Sequence, residues 1–246
     1  MTTPLIQVKD LTIGWGDVVL QKNATFNVDR GEVFAILGGS GCGKSTMLRY
    51  LTGLEIPDHG EILIEGVGRP NLEAGRPPFG VMFQSGALFG SLTVGENVGL
   101  SLEQWTDLPY EAIAAIVLAK LKLVGLDGSA NKFPSELSGG MKKRAAIARA
   151  MALEPELIFL DEPSAGLDPV SAVELDDLIL TLNKILGLTV VIVTHELPSI
   201  FKIAGRCIML DKDSQSIIAT GNPVELRDHS TDQRVHDFFN RIPRSA

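Results

Sequence analysis

The strongest chemical signal in the chain is the glycine-rich stretch GGSGCGKST at Gly38–Thr46, which fits the phosphate-loop pattern G-x-x-x-x-G-K-[ST]. It follows the apolar run EVFAIL, so the predicted context is a strand, a loop and a helix. Lys44 is placed to reach the β- and γ-phosphates of a nucleotide, and the Ser45 hydroxyl to hold Mg²⁺. The predicted nucleotide-binding residues are Gly38, Gly39, Ser40, Gly41, Cys42, Gly43, Lys44, Ser45 and Thr46.

Two acidic residues end a second apolar run, LIFLDEP, as Asp161 and Glu162. By themselves, two acids at the end of a strand are more often a solvated terminus or a helix cap. In a chain that also carries a phosphate loop, they indicate nucleotide hydrolysis. Asp161 is then placed for the Mg²⁺ shell, and Glu162 for polarising the attacking water.

A histidine ends the run TVVIVTHE as His195. A lone histidine is more often structural. His195, however, follows a predicted buried strand, and open α/β sheets bind ligands at the carboxyl ends of their strands. We therefore expect its side chain to hydrogen-bond the γ-phosphate or the attacking water.

A second anion-binding pattern occupies Glu136–Ala150, where ELSGGMKKRAAIARA places a serine and two glycines before an amphipathic helix. Ser138 suits a helix N-cap, and the N–H groups at a helix N-terminus favour phosphate. Because the chain already has a phosphate loop, this pattern raises the question of which phosphate it would hold.

The elements that must position these residues indicate an α/β domain. Continuous rather than alternating apolar runs are typical of parallel strands covered on both faces. Such runs occupy Glu32–Leu37, Leu157–Leu160, Thr189–Val193 and Cys207–Leu210.

Other stretches predict different structure. The first thirty residues and GEILIEG, at Gly60–Gly66, contain short strands separated by turn residues and predict an antiparallel sheet. Strand signals vanish from about Ser85 to Ala152, and Pro109–Leu126 has helical apolar spacing. We expect an inserted helical subdomain there. The polar segment after Gly221 ends in a predicted helix, RVHDFFNRI.

Composition narrows the class of function. The chain has 246 residues and a net charge of −8, which argues against nucleic acid as a partner. Cys42 and Cys207 lack metal-site spacing, so we expect buried or incidental thiols. The N-terminus has no signal-peptide pattern, and prolines and glycines break the longest uncharged run, Pro77–Gly95. We expect a soluble chain that reaches a membrane only through a partner.

Together these motifs resemble the nucleotide-binding subunit of ATP-binding cassette (ABC) transporters over nearly the whole chain. The phosphate loop, Gln84, LSGGM, LDEPSAGLD and His195 occur in the family's order and at its usual separations. The resemblance implies a P-loop NTPase core of the RecA-like type with an N-terminal antiparallel β-subdomain and an inserted helical subdomain. It implies a nucleotide-binding domain at 1–221, with the helical subdomain at about 85–155, and a C-terminal tail at 222–246.

The resemblance also answers the question about the second anion-binding pattern, the family's signature. In the family, two subunits face head to tail and each signature completes the other's site. Ser138, Gly139 and Gly140 would then contact the γ-phosphate bound at Lys44 of a second copy. The implied assembly is a homodimer that buries two ATP molecules with Mg²⁺.

Further roles follow from the same resemblance. Trp15 occupies the place of the aromatic residue that stacks on adenine, although a core or turn tryptophan is the alternative. Asp168 would lie at the dimer interface, and Gln84 would touch Mg²⁺ or the water. The implied catalytic residues are Lys44, Gln84, Glu162 and His195, and the implied metal ligands are Ser45, Gln84 and Asp161.

Two features resemble one subfamily in particular. The usual signature ends in glutamine, whereas this one ends in Met141; with FQSGALF at Phe83–Phe89, this is similar to the ATPases of MCE, or Mla-type, phospholipid transport systems. The segment Gly221–Pro243 is also similar to the end of those ATPases. LDEPSAGLDP, in contrast, is the generic cassette form and departs from the variant common in the best-known Mla ATPases.

The subfamily resemblance implies an ATP hydrolase that powers phospholipid transport between the inner and outer membranes. Two copies would lie beneath two permease subunits at the cytoplasmic face of the bacterial inner membrane, with an MCE-domain partner and room for a small regulatory subunit. The segment Gln84–Asn97 would hold the permease's coupling helix. Leu88, Phe89 and Leu92 would either contribute to that groove or form core.

Several alternatives stay open at this point. One is an ABC importer or exporter ATPase for another cargo, because cargo touches the permease rather than the ATPase. A second is a soluble ABC-type ATPase of the iron–sulfur assembly type, against which FQSGALF argues. Translation-type members carry two cassettes, and repair-type members carry a long coiled coil; the chain has neither pattern. A P-loop kinase would leave LSGG and His195 without a role.

Overall fold

The structure is a computed structural model that describes residues 4–71, 73 and 75–242. It contains two compact units. The first combines the chain up to Gly75 with the chain from Thr189 onward, and the second is Arg76–Leu188. Residues 1–3 of the predicted nucleotide-binding domain and 243–246 of the predicted tail lie outside the described residues.

A three-stranded antiparallel sheet opens the first unit, with the order β2-β1-β4. Its strands are β1 (Ile6–Trp15), β2 (Val18–Val28) and β4 (His59–Ile64). Buried Ile6 and Val8 alternate with exposed Gln7 and Lys9, as in a sheet with one face on the core. The antiparallel sheet predicted from the sequence is therefore confirmed.

The same unit contains a second sheet region, built from β3 (Val33–Gly38), β7 (Thr189–Val193), β8 (Arg206–Asp211) and β9 (Ser216–Gly221). β3 pairs in parallel with both β7 and β8, and every residue of β3 and β7 is buried. This confirms three of the predicted parallel strands. β9 pairs antiparallel with β8 and was not predicted, because its residues are half-buried except for exposed Thr220 and show neither a long continuous nor an alternating apolar pattern.

Among its described residues, the first unit contains the helices α1 (Lys44–Leu51), α6 (Leu197–Ile203), α7 (Pro223–His229) and α8 (Gln233–Phe239). The predicted tail helix corresponds to α8. Its residues Val235 and Phe239 are buried in a cluster with Leu37, Ile200 and Met209. The described part of the tail is therefore packed into the apolar core of this unit.

The second unit pairs a short strand, β5 (Gly80–Met82), in parallel with β6 (Leu157–Asp161). Its helices are α2 (Val94–Trp105), α3 (Tyr110–Leu123), α4 (Gly139–Ala150) and α5 (Pro169–Leu186). No strand occurs in the stretch 83–156, all of which the structure describes, so the predicted loss of strand signals there is confirmed. β5 was not predicted, because three residues are too short for a periodic pattern.

Capping side chains begin α2, α4 and α5 of the second unit. Thr93 and Glu96 form a reciprocal capping box at α2, while Ser138 and Asp168 cap α4 and α5 with their side chains. The serine N-cap predicted at Ser138 is thus present.

Both cysteines are buried free thiols, as predicted. Burial raises the pKa of Cys42 and raises that of Cys207 to about 12, so neither is a reactive thiolate. Across the described residues, no helix is both long and apolar enough to cross a membrane.

Candidate functional site

The phosphate loop connects β3 to α1 and contains a glycine, Gly38, whose position leaves no room for a side chain. At Gly38, where φ is 147°, an added Cβ would lie 2.5 Å from both the Cys42 sulfur and the Leu210 carbonyl oxygen. An added Cβ at Gly39 or Gly41 would meet nothing within 4 Å. The loop is thus packed tightly against its own unit at Gly38 and open at Gly39 and Gly41, which leaves space for an anion.

Positive charge gathers at this loop. Lys44 begins α1, and its Nζ donates hydrogen bonds to the carbonyl oxygens of Gly38 at 2.9 Å and Gly39 at 3.1 Å. Gly43 is the N-cap and has no side chain to cap the helix, while the first turn carries a lysine and no acid. The helix dipole and the ammonium therefore act in the same sense, and both favour phosphate.

The buried side-chain amide of Gln21 supports the phosphate loop through a hydrogen bond to its main chain. Gln21 of β2 is fully buried, and its Nε2 donates to the carbonyl oxygens of Cys42 at 2.8 Å and Asp211 at 3.0 Å. Its Oε1 has no hydrogen-bond partner among the described residues. The Asp211 carboxylate in turn accepts from Arg234 of α8 at 3.0 Å. Sequence reasoning missed Gln21, because one polar letter in a strand gives no sign of its partners.

Trp15 lies beside the loop at the end of β1. Its ring is 47% exposed, so the core alternative for this residue does not hold. Its Nε1 donates to the Thr46 hydroxyl at 3.2 Å, and the Arg49 guanidinium lies 5.2 Å from the ring centroid. These contacts anchor a partly exposed aromatic surface next to the phosphate loop, which is what stacking on a base requires.

His195 follows β7 in the same unit. Ile36 of β3 pairs with Val193 of β7. Gly38 and His195 each follow their paired residue by two positions, so both lie at the same end of these two parallel strands. The His195 side chain is exposed, and its Nε2 is 3.8 Å from the Glu196 carboxylate. The fold thus brings the predicted histidine to the end of the strands where the phosphate loop begins.

The acidic pair of the second unit ends β6. Asp161 and Glu162 are buried, at 8% and 7% exposure. Glu162 has a φ of 46°, a left-handed conformation that is unfavourable for a residue with a side chain. Such strained positions cluster at functional sites, at a cost on the order of 1–3 kcal/mol.

A buried lysine lies next to this acidic pair. Lys143 of α4 is 7% exposed, and its Nζ donates to the carbonyl oxygens of Gln84 at 2.5 Å and Glu162 at 3.2 Å. Burial lowers the pKa of Lys143, while the charges of Asp161 and Glu162 oppose that effect. Sequence reasoning missed the buried Lys143, because a lysine in the run MKKR is typical of a solvated helix face.

The signature glycines lie at the start of α4. The Ser138 Oγ accepts a hydrogen bond from the Met141 N–H at 3.3 Å. An added Cβ at Gly139 would be 3.3 Å from the Leu167 side chain, and one at Gly140 would be 3.6 Å from Ser171. A side chain would therefore be tight at Gly139 but would make ordinary contact at Gly140, where the beginnings of α4 and α5 approach each other.

Asp168 is the N-cap of α5. Its carboxylate accepts from the N–H groups of Val170 and Ser171 and from the Ser171 hydroxyl. These hydrogen bonds, chiefly those from Ser171, lower the pKa of Asp168. The side chain predicted for an interface is exposed and held in one orientation by its own helix.

Gln84 is exposed in the loop that follows β5. Beyond it, the Arg149 guanidinium donates to the carbonyl oxygens of Gly86 at 2.9 Å and Ala87 at 2.7 Å. Buried Asn97 exchanges hydrogen bonds with the main chain of Phe89. Side chains that donate to its carbonyls thus hold this loop, and the Phe89 ring stays 53% exposed.

The predicted metal ligands supply oxygen donors: a hydroxyl from Ser45, an amide oxygen from Gln84 and a carboxylate from Asp161. Oxygen donors fit Mg²⁺, which commonly takes one or two protein ligands and completes its shell with phosphates and water. Within the described parts of the chain, no group of three His, Cys, Asp or Glu side chains could hold a metal. The chemistry of these residues therefore suits a metal that arrives with a nucleotide.

Comparison with known proteins gives a consistent picture. The sequence profile of the ABC transporter family matches residues 21–165. The chain is 42% identical, over 97% of its length and 89% of the relative, to the intermembrane phospholipid transport system ATP-binding protein MlaF of Escherichia coli strain K12. It is 45% identical, over 77% of its length and 56% of the relative, to the probable ribonucleotide transport ATP-binding protein mkl of Mycobacterium leprae.

A solved structure agrees. The dimeric ATP-binding cassette MJ0796, determined in a post-hydrolysis state bound to ADP and Pi, superposes with a TM-score of 0.78 and 32% identity. The match covers 88% of this chain and 98% of that one. The predicted fold class, a P-loop α/β fold with an antiparallel β-sheet, is confirmed.

Proposed function

The chain belongs to the ABC transporter family as an ATP-binding cassette ATPase, and on this premise we propose that it powers phospholipid transport between the inner and outer membranes. The observation that carries the cargo class is the 42% identity to MlaF over 97% of the chain. That likeness extends well past residues 21–165, to which the general family profile is confined.

In this proposal the first unit binds the nucleotide. Lys44 and the N–H groups of the open loop neutralise and orient the phosphates, and the anchored Trp15 ring stacks on adenine. The hydrogen bonds of Lys44 to Gly38 and Gly39 keep its ammonium over the loop before ATP arrives. This pre-organisation reduces the entropy lost on binding.

Hydrolysis is assigned to the catalytic residues that the family resemblance implies. Glu162 polarises the attacking water, Gln84 orients it, and His195 hydrogen-bonds the γ-phosphate. Ser45, Gln84 and Asp161 are the residues that would hold Mg²⁺, which when bound neutralises charge that develops on the phosphates. The left-handed φ of Glu162 sets the direction in which its side chain extends from the main chain.

We propose a homodimer in which each signature acts on the nucleotide of the other copy. Ser138 and the N–H groups of Gly139 and Gly140 lie at the N-terminus of α4, which suits a γ-phosphate. Asp168, held as a cap of α5, would face the partner copy. ATP then favours the closed dimer because its γ-phosphate contacts both chains, and hydrolysis removes that contact.

The proposed assembly places two copies beneath two permease subunits at the cytoplasmic face of the inner membrane, with an MCE-domain partner that carries lipid and room for a small regulatory subunit. The segment Gln84–Asn97 would receive the permease. Exposed Phe89 and half-buried Leu88 and Leu92 offer apolar surface for this contact. Residues 1–221, with a helical subdomain at about 85–155, would form the nucleotide-binding domain, and 222–246 its tail.

One experiment tests the cargo and the partners together. The tagged chain is purified from its native host in mild detergent, and its co-purifying proteins and lipids are identified by mass spectrometry. We expect a multi-span permease, an MCE-domain protein and bound phospholipid, with the Lys44→Ala variant as a matched sample in which assembly does not depend on turnover. A permease without an MCE partner or phospholipid would refute the lipid assignment, and a soluble partner alone would refute transport.

The similarity to mkl favours one second candidate. That relative is described as a probable ribonucleotide transport protein, and this chain covers 56% of it. Another cargo is therefore the alternative within the same family. The mass-spectrometric experiment distinguishes the two, because a ribonucleotide transporter would not retain stoichiometric phospholipid.

A further inference from the structure

Lys143 is unusual because it is a buried lysine in the middle of α4. Lysine is almost never fully buried unless it is paired. Its Nζ donates to two main-chain carbonyl oxygens, at 2.5 and 3.2 Å, and the charges of Asp161 and Glu162 also act on it. Such charge-assisted hydrogen bonds are roughly twice as strong as neutral ones.

The two carbonyls belong to Gln84 and Glu162, both of which are proposed catalytic residues. Gln84 follows β5 by two residues, and Glu162 directly follows β6. β5 and β6 are parallel neighbours in which Met82 pairs with Leu160. The ammonium of Lys143 therefore hydrogen-bonds to the residues that follow two adjacent strands. β5 leads into the exposed loop, and β6 leads to the catalytic carboxylate of Glu162.

The main chain at Glu162 needs such support. Its φ of 46° is costly for a residue with a side chain, so the surrounding structure must hold it. The hydrogen bond from Lys143 to the Glu162 carbonyl fixes the orientation of that peptide group. If this bond were lost, the backbone could relax and carry the carboxylate away from the water it polarises.

Arg149, six residues along the same helix, provides an internal comparison. It donates to Gly86 and Ala87, and Ala87 also has a left-handed φ, 48°. Arg149 thus holds the same loop as Lys143, but none of its hydrogen bonds in the described structure reaches Glu162. Lys143 is the side chain that the loop and the catalytic residue share.

We infer that Lys143 is a positioning residue that couples the Gln84 loop to the orientation of Glu162. The inference rests on the proposed function, in which Glu162 acts on the attacking water and the loop meets the permease. A movement of the loop would shift the Lys143 ammonium, since both carbonyls accept from the same nitrogen. Turnover would then respond to the permease through a hydrogen bond rather than through nucleotide affinity.

The test replaces Lys143 by methionine, which keeps an unbranched stem of similar length and removes the donors. In steady-state ATP hydrolysis by the purified full chain, we expect Lys143→Met to lower kcat about tenfold, the equivalent of about 1.4 kcal/mol. We expect KM for ATP to stay within about threefold, because no contact to the phosphate loop is removed. Lys143→Arg, which keeps charge and donors, should recover at least half of the lost rate.

Two variants of the same helix are matched controls. Lys142→Met removes a neighbouring lysine that is half-buried, and it should change kcat by less than about twofold. Arg149→Met frees the loop without touching Glu162, so its kcat should fall less than that of Lys143→Met. Thermal melts of all variants show whether a lost rate reflects lost folding.

Two outcomes would overturn the inference. The first is a folded Lys143→Met protein with an unchanged kcat. The second applies if that variant does not fold: Lys143→Arg and Lys143→Gln are then compared, and equal rates in the two would contradict a role for the charged donor. Failure of the proposed function looks different, because wild-type protein would then hydrolyse no ATP or Glu162→Gln would hydrolyse it normally.

Discussion

The phosphate loop of the first unit and the acidic strand end of the second each have a lysine that donates to two main-chain carbonyls, and they differ in what else supports the backbone. Main-chain packing and the neutral amide of Gln21 hold the loop, with Gly38 pressed against Cys42 and Leu210. The strand end has a left-handed glutamate, and a cationic side chain, Lys143, donates to its carbonyl.

The difference indicates a division of labour. Close-packed interiors resist deformation, so a loop backed by packed main chain and a short amide presents one fixed cradle. Lys44 donates to two adjacent residues of that same loop, whereas Lys143 donates to two separate segments, so a movement of either segment changes both of its hydrogen bonds. The first region is suited to binding a nucleotide, and the second to controlling when it reacts.

The largest effect is expected from Glu162→Gln, which removes the carboxylate and leaves the phosphate contacts. Because positioned general bases contribute about 10²–10⁴-fold, we expect hydrolysis to fall about 10³-fold while ATP still binds. Size-exclusion chromatography with ATP should then show a trapped dimer. A monomer under these conditions, or normal phosphate release, would contradict the role of the second region.

The next largest effect tests the first region. Lys44→Ala removes an ammonium that would make charged hydrogen bonds to two phosphates, each worth about 1.5–3 kcal/mol. We expect ATP affinity to fall about 100-fold or more, measured by titration calorimetry. Lys22→Ala on an exposed stretch of β2 is the matched control, and unchanged affinity in Lys44→Ala would refute the assignment.

A third prediction asks whether the second region acts across the dimer. Ser138→Arg places a bulky cation at the N-terminus of α4 and should block hydrolysis although the phosphate loop is intact. In mixed dimers with one variant chain, we expect about half of the wild-type rate or less, because one of two sites is lost. Two fully active sites in the mixed dimer would refute action in trans.

The smallest expected effect concerns Gln21, which supports the phosphate loop. Gln21→Leu leaves the carbonyls of Cys42 and Asp211 without that donor, at a cost of about 1–2 kcal/mol of unfolding free energy. In a chain of this size we expect the melting temperature to fall by about 2–8 °C. Gln7→Leu, on the exposed face of β1, is the control, and equal melting temperatures for the two variants would contradict a bracing role.

Much of this molecule could be predicted because its signals are local. Continuous apolar runs located β3, β6, β7 and β8, and the glycine and lysine spacing located the phosphate loop between a strand and a helix. Ser138 was recognisable as an N-cap because its role depends on residues within one turn.

The supporting contacts could not be predicted because their partners are distant in the sequence. Lys143 donates to carbonyls 59 and 19 positions away, and Gln21 donates to one 190 positions away. Main-chain carbonyls carry no residue-specific signal, so no pattern of letters marks them as acceptors. The left-handed φ of Glu162 was likewise hidden, since only glycine or asparagine usually indicates that conformation.

The most direct test of the division of labour measures Gln21→Leu and Lys143→Met side by side, by ATP titration followed by rapid-quench single turnover at saturating ATP. We expect Gln21→Leu to raise Kd about threefold, or about 0.65 kcal/mol, and to leave the rate within about twofold of wild type. Lys143→Met should leave Kd within about threefold and lower the rate about tenfold. If both variants change the same quantity, the two regions do not divide binding from turnover.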